Sequence, residues 1–155
     1  MVEIIDSEID LATVFAQVQS ETCGATVLFV GSTRKFTNGL ETTQLNYDCY
    51  RELALKEMEQ LESEAKEAWP IERCIIVHRI GLVPLGTASV AVAVATPHRN
   101  EAFAAAQWLI DTLKVRVPIW KQEHWSDGTR KWIHPQSSET RNPVRNSIGR
   151  ASDVD

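Results

Sequence analysis

Ala88-Ser89-Val90-Ala91-Val92-Ala93-Val94-Ala95-Thr96 is nine residues without a charge, with Val and Ala alternating through most of it. Successive side chains of a strand point to opposite faces, so a strand apolar at every position has no face for water. The run reads as a strand covered on both sides. Upstream, Cys74 to Ile80 reads as a second strand, and Pro84-Leu85-Gly86 between them as a turn. The two strands are predicted to form an antiparallel hairpin.

Working outward, Ala102 to Val115 reads as a helix with Phe103, Ala106, Ile110 and Leu113 toward the core, and Pro118 cannot continue it. Arg51 to Trp69 is the clearest helix: Ala54, Met58, Leu61, Ala65 and Ala68 recur at steps of four and three among Glu and Lys, and Pro70 ends it. Ile9 to Gln19 reads as a short amphipathic helix, with Ile9, Leu11, Ala12, Phe15 and Val18 on one side and Asp6 or Ser7 as cap. Ala25 to Gly31 has the apolar, branched content of a buried strand, and a loop from Ser32 to Leu40 follows, with Asn38-Gly39 as its turn. Thr43 to Cys49 alternates as a half-exposed strand does and is expected to pair with its predecessor. Pro118 to Trp125 and Arg130 to His134 read as short strands about Asp127-Gly128. The order α, β, β, α, β, β, α, β, β predicts an α+β domain, with helices packed on a largely antiparallel, curled sheet. Residues 1–134 form that single domain, and 135–155, rich in Ser, Asn, Arg and Asp, reads as a flexible tail unless a partner orders it.

Bulk composition narrows the function. At 155 residues, 43% hydrophobic and 24% charged, the chain fits one globular domain, and a formal net charge of −5 argues against broad nucleic-acid binding. A small anion in a local basic pocket is the better fit. No apolar run approaches the roughly 20 residues that span a bilayer, and residues 1–10 lack the basic start of a secretory signal, so a cytoplasmic address with no membrane partner is expected. Cys23, Cys49 and Cys74 are odd in number and widely spaced, which reads as buried thiols. His78, His98, His124 and His134 lack metal-ligand spacing, and there is no GxSxG, Walker A or HExxH motif, so neither metal nor cofactor is expected. Trp108, Trp120, Trp125 and Trp132 read as packing groups.

The chemistry-bearing candidates are cations. Lys114-Val-Arg-Val-Pro-Ile-Trp-Lys121 sets two amines about the end of an apolar helix, and His98-Arg99 stands where that helix begins. A helix start favours a bound phosphate or carboxylate, and Arg99 can add a bidentate contact. Both residues also fit solvated loop positions. Arg34 stands three residues past the strand ending at Gly31, in a loop expected to fold over the same sheet edge as His98 and Arg99, though a plain surface arginine reads equally well. Lys114 fits either an active amine or a cation complementing the helix C-terminus. Whether such an amine acts as a base or stays charged to stabilise an oxyanion is open at this level.

Taken in order, Phe29-Val30-Gly31-Ser32-Thr33-Arg34, Leu45-Asn46-Tyr47-Asp48-Cys49-Tyr50, His78-Arg79-Ile80-Gly81, Pro97-His98-Arg99-Asn100-Glu101-Ala102-Phe103, Asp111-Thr112-Leu113-Lys114 and Pro118-Ile119-Trp120-Lys121-Gln122-Glu123 resemble the large, catalytic subunit of molybdopterin synthase. The resemblance implies an α/β hammerhead-type fold with an extra small antiparallel sheet. It also implies a sulfurtransferase that converts cyclic pyranopterin monophosphate (precursor Z) into molybdopterin, a step of molybdenum cofactor biosynthesis. Sulfur in that family comes from a small ubiquitin-like subunit whose C-terminal Gly-Gly thiocarboxylate enters the pocket. Two large subunits form a central homodimer within a heterotetramer, and the pocket is completed by the second of them. Position by position, Lys114 and Lys121 match the active-site lysines, Arg34, His98 and Arg99 match substrate contacts, and Ser32, Thr33, Gln122 and Glu123 flank them. This chain departs from the family at Asp48, commonly Glu, and Thr33, often Val. A non-catalytic module that holds a partner's C-terminal tail in the same basic pocket is the competing reading.

Overall fold

The computed structural model describes residues 1–37 and 39–133, so the expectations for His134 and for the tail 135–155 lie outside the described residues. The chain runs β1 (Val2–Ile5), α1 (Leu11–Val18), β2 (Ala25–Ser32), β3 (Phe36–Thr37), β4 (Leu40–Cys49), α2 (Arg51–Ala68), β5 (Arg73–Arg79), β6 (Gly81–Pro84), β7 (Ala88–Thr96), α3 (Arg99–Arg116), β8 (Ile119–Trp125) and β9 (Arg130–Ile133). The α+β class is as predicted. Among the described residues, no helix is long and apolar enough to cross a membrane.

All nine residues of β7 are buried, as its sequence requires, and β5 pairs with it antiparallel from Arg73↔Ala95 to His78↔Val90. The predicted hairpin is present, with β6 inserted between its arms. The first sheet has the order β1-β5-β7-β2. One face of β7 and its neighbours packs on α2 and α3, with Met58, Leu61, Leu109 and Leu113 at the centre. The other face packs on α1 through Val14 and Val18. Two covered faces explain why hydrophobicity along β7 never alternates.

Arg116 locks the two larger helices together. Its guanidinium donates to both carboxylate oxygens of Glu64, at 2.7 and 3.1 Å, and to Glu57 at 3.4 Å. These groups are partly exposed, so the clamp orients α3 more than it stabilises the fold.

Several expectations fail for reasons of topology. β4 does not pair with β2: it builds a second sheet, ordered β3-β4-β8-β9 with β6 also on β4, while β2 pairs antiparallel with β7. Burial on both faces made β7 the better partner for an apolar β2, leaving the polar-alternating β4 to a half-exposed sheet. β2 itself is a half-buried edge strand and not a buried one. β1, β3 and β6 were not predicted, being only four, two and four residues long, too short for a periodic signal; β1 also joins β5 in parallel. Helix α1 is capped by Asp10, whose carboxylate accepts from the amides of Ala12 and Thr13, and not by Asp6 or Ser7. It buries Val14 and Val18, while Phe15 and Ala12 face water. α3 starts at Arg99, three residues earlier than predicted, and Phe103 is 65% exposed because Ala102, Ala105, Ala106 and Leu109 form its core face. Of the thiols only Cys74 is buried; Cys23 and Cys49 are half-buried. Trp69 and Trp108 pack as a tilted ring pair, but Trp132 is half exposed.

Leu109 is fully buried between β7 and α2 in the larger core, so Leu109→Ala is expected to destabilise the fold by about 2–5 kcal/mol in urea denaturation. A loss below about 1 kcal/mol would mean that this core is not packed as described.

Candidate active site

The direction of each element decides which cations meet. β7 runs away from Ala88, which stands opposite Ser32 at the end of β2, and finishes at Thr96, opposite Ala25 at the start of β2. After a connection of two residues α3 begins, and to pack along β7 and β2 it must run back the way β7 came. Lys114, in its last turn, therefore returns to the Ser32 end, about 22 Å along the helix from Arg99 at 1.5 Å per residue. His98 and Arg99 stay at the Ala25 end, roughly 23 Å along the strand from Ser32. Arg34 and Arg99 thus lie at opposite ends of the sheet, contrary to the expectation that they share an edge.

The Ser32 end is the richer one. Thr33 is buried and clips its loop to the next turn, its amide donating to Thr87 O at 3.1 Å and its carbonyl accepting from Gly86 at 2.8 Å. That clip turns Ser32 and Arg34, both exposed, outward. Gly31 permits it: a Cβ there would stand 2.6 Å from Val90 Cγ1.

On the second sheet, Lys121 stands directly across from Tyr47, and Glu123 across from Leu45, on one face. Lys121 Nζ donates to Glu123 Oε1 at 3.0 Å. Glu123 is 1% exposed while the Lys121 side chain keeps 34%, so a buried carboxylate holds an amine that still reaches the surface. Gln122, one residue on, points to the opposite face, where its Oε1 accepts from His124 Nε2 at 2.8 Å while Gln44 Nε2 donates to His124 Nδ1 at 3.1 Å. Burial, and then the charge of Arg130, lowers the His124 pKa, in keeping with the neutral imidazole this chain of bonds requires. Asp48 also faces away from Lys121, opposite Trp120, with its carboxylate on the Cys49 amide at 2.8 Å.

At the other end, His98 is the N-cap residue of α3 but makes no side-chain cap bond. Its carbonyl accepts from Thr96 Oγ1 at 2.7 Å, which fixes the backbone and leaves the imidazole outward. Among the described residues, the side chains of Arg34, His98, Arg99 and Lys114 make no ion pair or hydrogen bond. Sequence reading missed what lies beneath Lys121. Burial raises the pKa of the Tyr47 phenol, with the Glu123 charge adding to the effect, and the His78 ring meets Tyr47 edge-on at 5.1 Å. The alternation that put Tyr47 and Lys121 on one face was legible; the pairing of β4 with β8 was not.

Comparison with known proteins agrees with this architecture. The family model described as MoaE protein matches residues 4–116. A relative from Nostoc sp. named molybdopterin synthase catalytic subunit is 41% identical over 126 residues, 81% of this chain and 76% of its own. The crystal structure of molybdopterin synthase from Staphylococcus aureus superposes with a TM-score of 0.80 at 37% identity, covering 84% of this chain and 95% of that one. A Helicobacter pylori structure described as a complex of subunits 1 and 2 of molybdopterin-converting factor matches with a TM-score of 0.70 at 25% identity, covering 88% and 91%.

His78 supplies a pH test of the layer under Lys121. Burial lowers its pKa from 6.5 to about 4, against a hydrogen bond from Nδ1–H to Arg79 O at 2.9 Å. Between those values the unfolded chain binds a proton that the folded one does not, so the contribution to stability is whole above pH 6.5 and is lost as pH falls toward 4. Urea titrations at pH 7 and pH 4 should show wild type losing up to about 3 kcal/mol more than His78→Asn. Equal losses would place a protonated imidazole in the core.

Proposed function

The chain belongs to the MoaE family of molybdopterin synthase catalytic subunits, and from that premise we propose that it converts precursor Z into molybdopterin with sulfur from a thiocarboxylated partner. The observation that carries the proposal is the pair of exposed cations at the Ser32 end, Arg34 and Lys114, neither with a partner among the described residues, together with Lys121 on the second sheet, moored to a buried Glu123. The donor is the C-terminal Gly-Gly thiocarboxylate of a small ubiquitin-like subunit. The two-subunit Helicobacter structure supports a partner of this kind.

In this mechanism Arg34, with His98 and Arg99, holds the substrate phosphate, for which a guanidinium fork is suited. The thiocarboxylate sulfur attacks an oxygen-bearing side-chain carbon of the pterin and forms the C–S bond as a C–O bond to that carbon breaks, the departing oxygen keeping the electron pair and taking up a proton. Water then cleaves the acyl–sulfur bond, leaving the sulfur on the pterin and a carboxylate on the partner. Negative charge develops on oxygen in both steps. Lys114, free of any internal ion pair, stabilises that charge or transfers the proton. Lys121 cannot roam, because separating it from Glu123 would leave a buried carboxylate uncompensated. Ser32, Thr33 and Gln122 shape the surroundings, Thr33 and Gln122 from beneath and behind the site and Ser32 from its rim.

A single copy holds these groups at two ends of its first sheet, so the phosphate contacts require two copies. The assembly is accordingly a homodimer of this chain with a small subunit at each outer end, in the cytoplasm. A tail-binding module without chemistry is disfavoured by relatives named as catalytic subunits.

Lys114→Ala is expected to lower molybdopterin formation from precursor Z and thiocarboxylated partner by at least about a hundredfold. Its stability should change by less than about 0.5 kcal/mol, because the side chain is exposed. Undiminished product formation by that variant would remove Lys114 from the mechanism.

A further inference from the structure

β7 carries two polar side chains, Ser89 and Thr96, and they stand near its two ends. Thr96 fixes the His98 carbonyl at one end, while at the other Ser89 Oγ donates to Gly31 O at 3.1 Å, three residues before Arg34. Each therefore ties down the backbone beside a proposed anion contact. Ser89 reaches Gly31 because the strand slips there. Val90, Val92 and Val94 belong to the larger core and Ala91, Ala93 and Ala95 to the smaller, yet Ala88 also lies in the smaller, so the alternation breaks at Ser89. The pairing with β2 breaks at the same place, Gly31 standing opposite Val90 and Ser32 opposite Ala88. An irregularity of this kind re-aims one side chain.

The second sheet meets that side chain through Tyr47. Tyr47 is the direct cross-strand partner of Lys121, as Leu45 is of Glu123. Two strands of the first sheet reach it: His78 of β5 meets its ring edge-on at 5.1 Å, and Ser89 of β7 hydrogen-bonds to its phenol. The Ser89 proton lies on Gly31 O, so the Ser89 oxygen accepts and the phenol donates. Burial raises the phenol pKa against the pull of that bond, and the Glu123 charge adds to the rise, so the phenol keeps the proton that the bond requires. The carboxylate that bears on the phenol is the one that accepts from Lys121 Nζ at 3.0 Å.

We propose that Tyr47 and Ser89 are positioning residues, through which Lys121 and Glu123 on the second sheet are held in fixed relation to the loop that carries Arg34 on the first. The proposal deepens the functional reading above and rests on its placing Arg34 and Lys121 in one site. A link is needed because the two cations belong to different sheets, Arg34 following β2 and Lys121 lying within β8. Sliding one sheet over the other by about 1 Å would misplace the amine against a bound substrate, an error of a size that costs about a hundredfold in rate. Packing alone does not ask for the hydroxyl, since a phenylalanine would offer His78 the same ring.

Two measurements test this. In assays with precursor Z and thiocarboxylated partner, Tyr47→Phe and Ser89→Ala should each lower kcat about tenfold, the rate equivalent of one neutral hydrogen bond, with KM changed by less than about twofold. The double variant should be no more than about twofold slower than either single one, because both break the same chain. Losses that multiply toward a hundredfold, or a rise in KM at unchanged kcat, overturn the link. If one variant fails to fold, the kcat and KM of the other decide. The second measurement uses no substrate. Acetylation of Lys121 by acetic anhydride, followed by peptide mass spectrometry, should quicken at least about threefold in Tyr47→Phe, with Lys35 and Lys66 unchanged. Equal labelling of Lys121 in wild type and variant overturns the positioning role. Quickened labelling alongside a wild type that forms no product supports the positioning and removes the functional reading instead.

Discussion

Everything in this fold is hung on a strand that has no side facing water. β7 is buried along all nine residues, so it needs a strand on each edge and a helix on each face. β5 and β2 supply the edges, α1 covers one face, and α2 with α3 cover the other. The connection from β7 to α3 is two residues, which forces α3 to fold straight back over the strand it has just left. From that reversal follow the positions of both ends of α3.

Those positions determine the chemistry available to one copy. Cations at the start of α3 and cations at its end are separated by most of the helix, and the strand beneath separates Arg34 from Arg99 by a comparable distance. The proposed function, in which Arg34, His98 and Arg99 hold one phosphorylated substrate, is compatible with such a molecule only if a second copy contributes. The ion pair of Lys121 with the buried Glu123 fixes one amine on the sheet face, whereas Lys114 is exposed and makes no ion pair among the described residues.

The sequence made the local chemistry legible and hid the long-range partners. The valine-alanine run of β7, the four-three spacing of α2 and the glycines at the turns of Gly86 and Gly128, both with positive φ, announced themselves because each is a local constraint. The pairing of β4 with β8 could not be read, since alternation tells which residues share a face and not which strand lies beside them. Phe103 misled for a related reason. Its spacing from Ala106, Ile110 and Leu113 fits a helical stripe, but alanines at 102, 105 and 106 allow α3 to sit so close to β7 that the bulky ring is left outside. Of the candidate site, the residue types were readable and their distances were not: His98-Arg99 and Arg34 look equivalent as cations in loops, and only the path of β2 shows that they face opposite ways.

The central claim is that one anion is held by cations from two copies. A crystal structure of the protein grown with inorganic phosphate tests it most directly. The account predicts phosphate in hydrogen-bonding contact with Arg34 of one copy and Arg99 of a second copy. Phosphate bound by Arg34 and Lys114 of one copy with Arg99 of every neighbour remote from it would contradict the account.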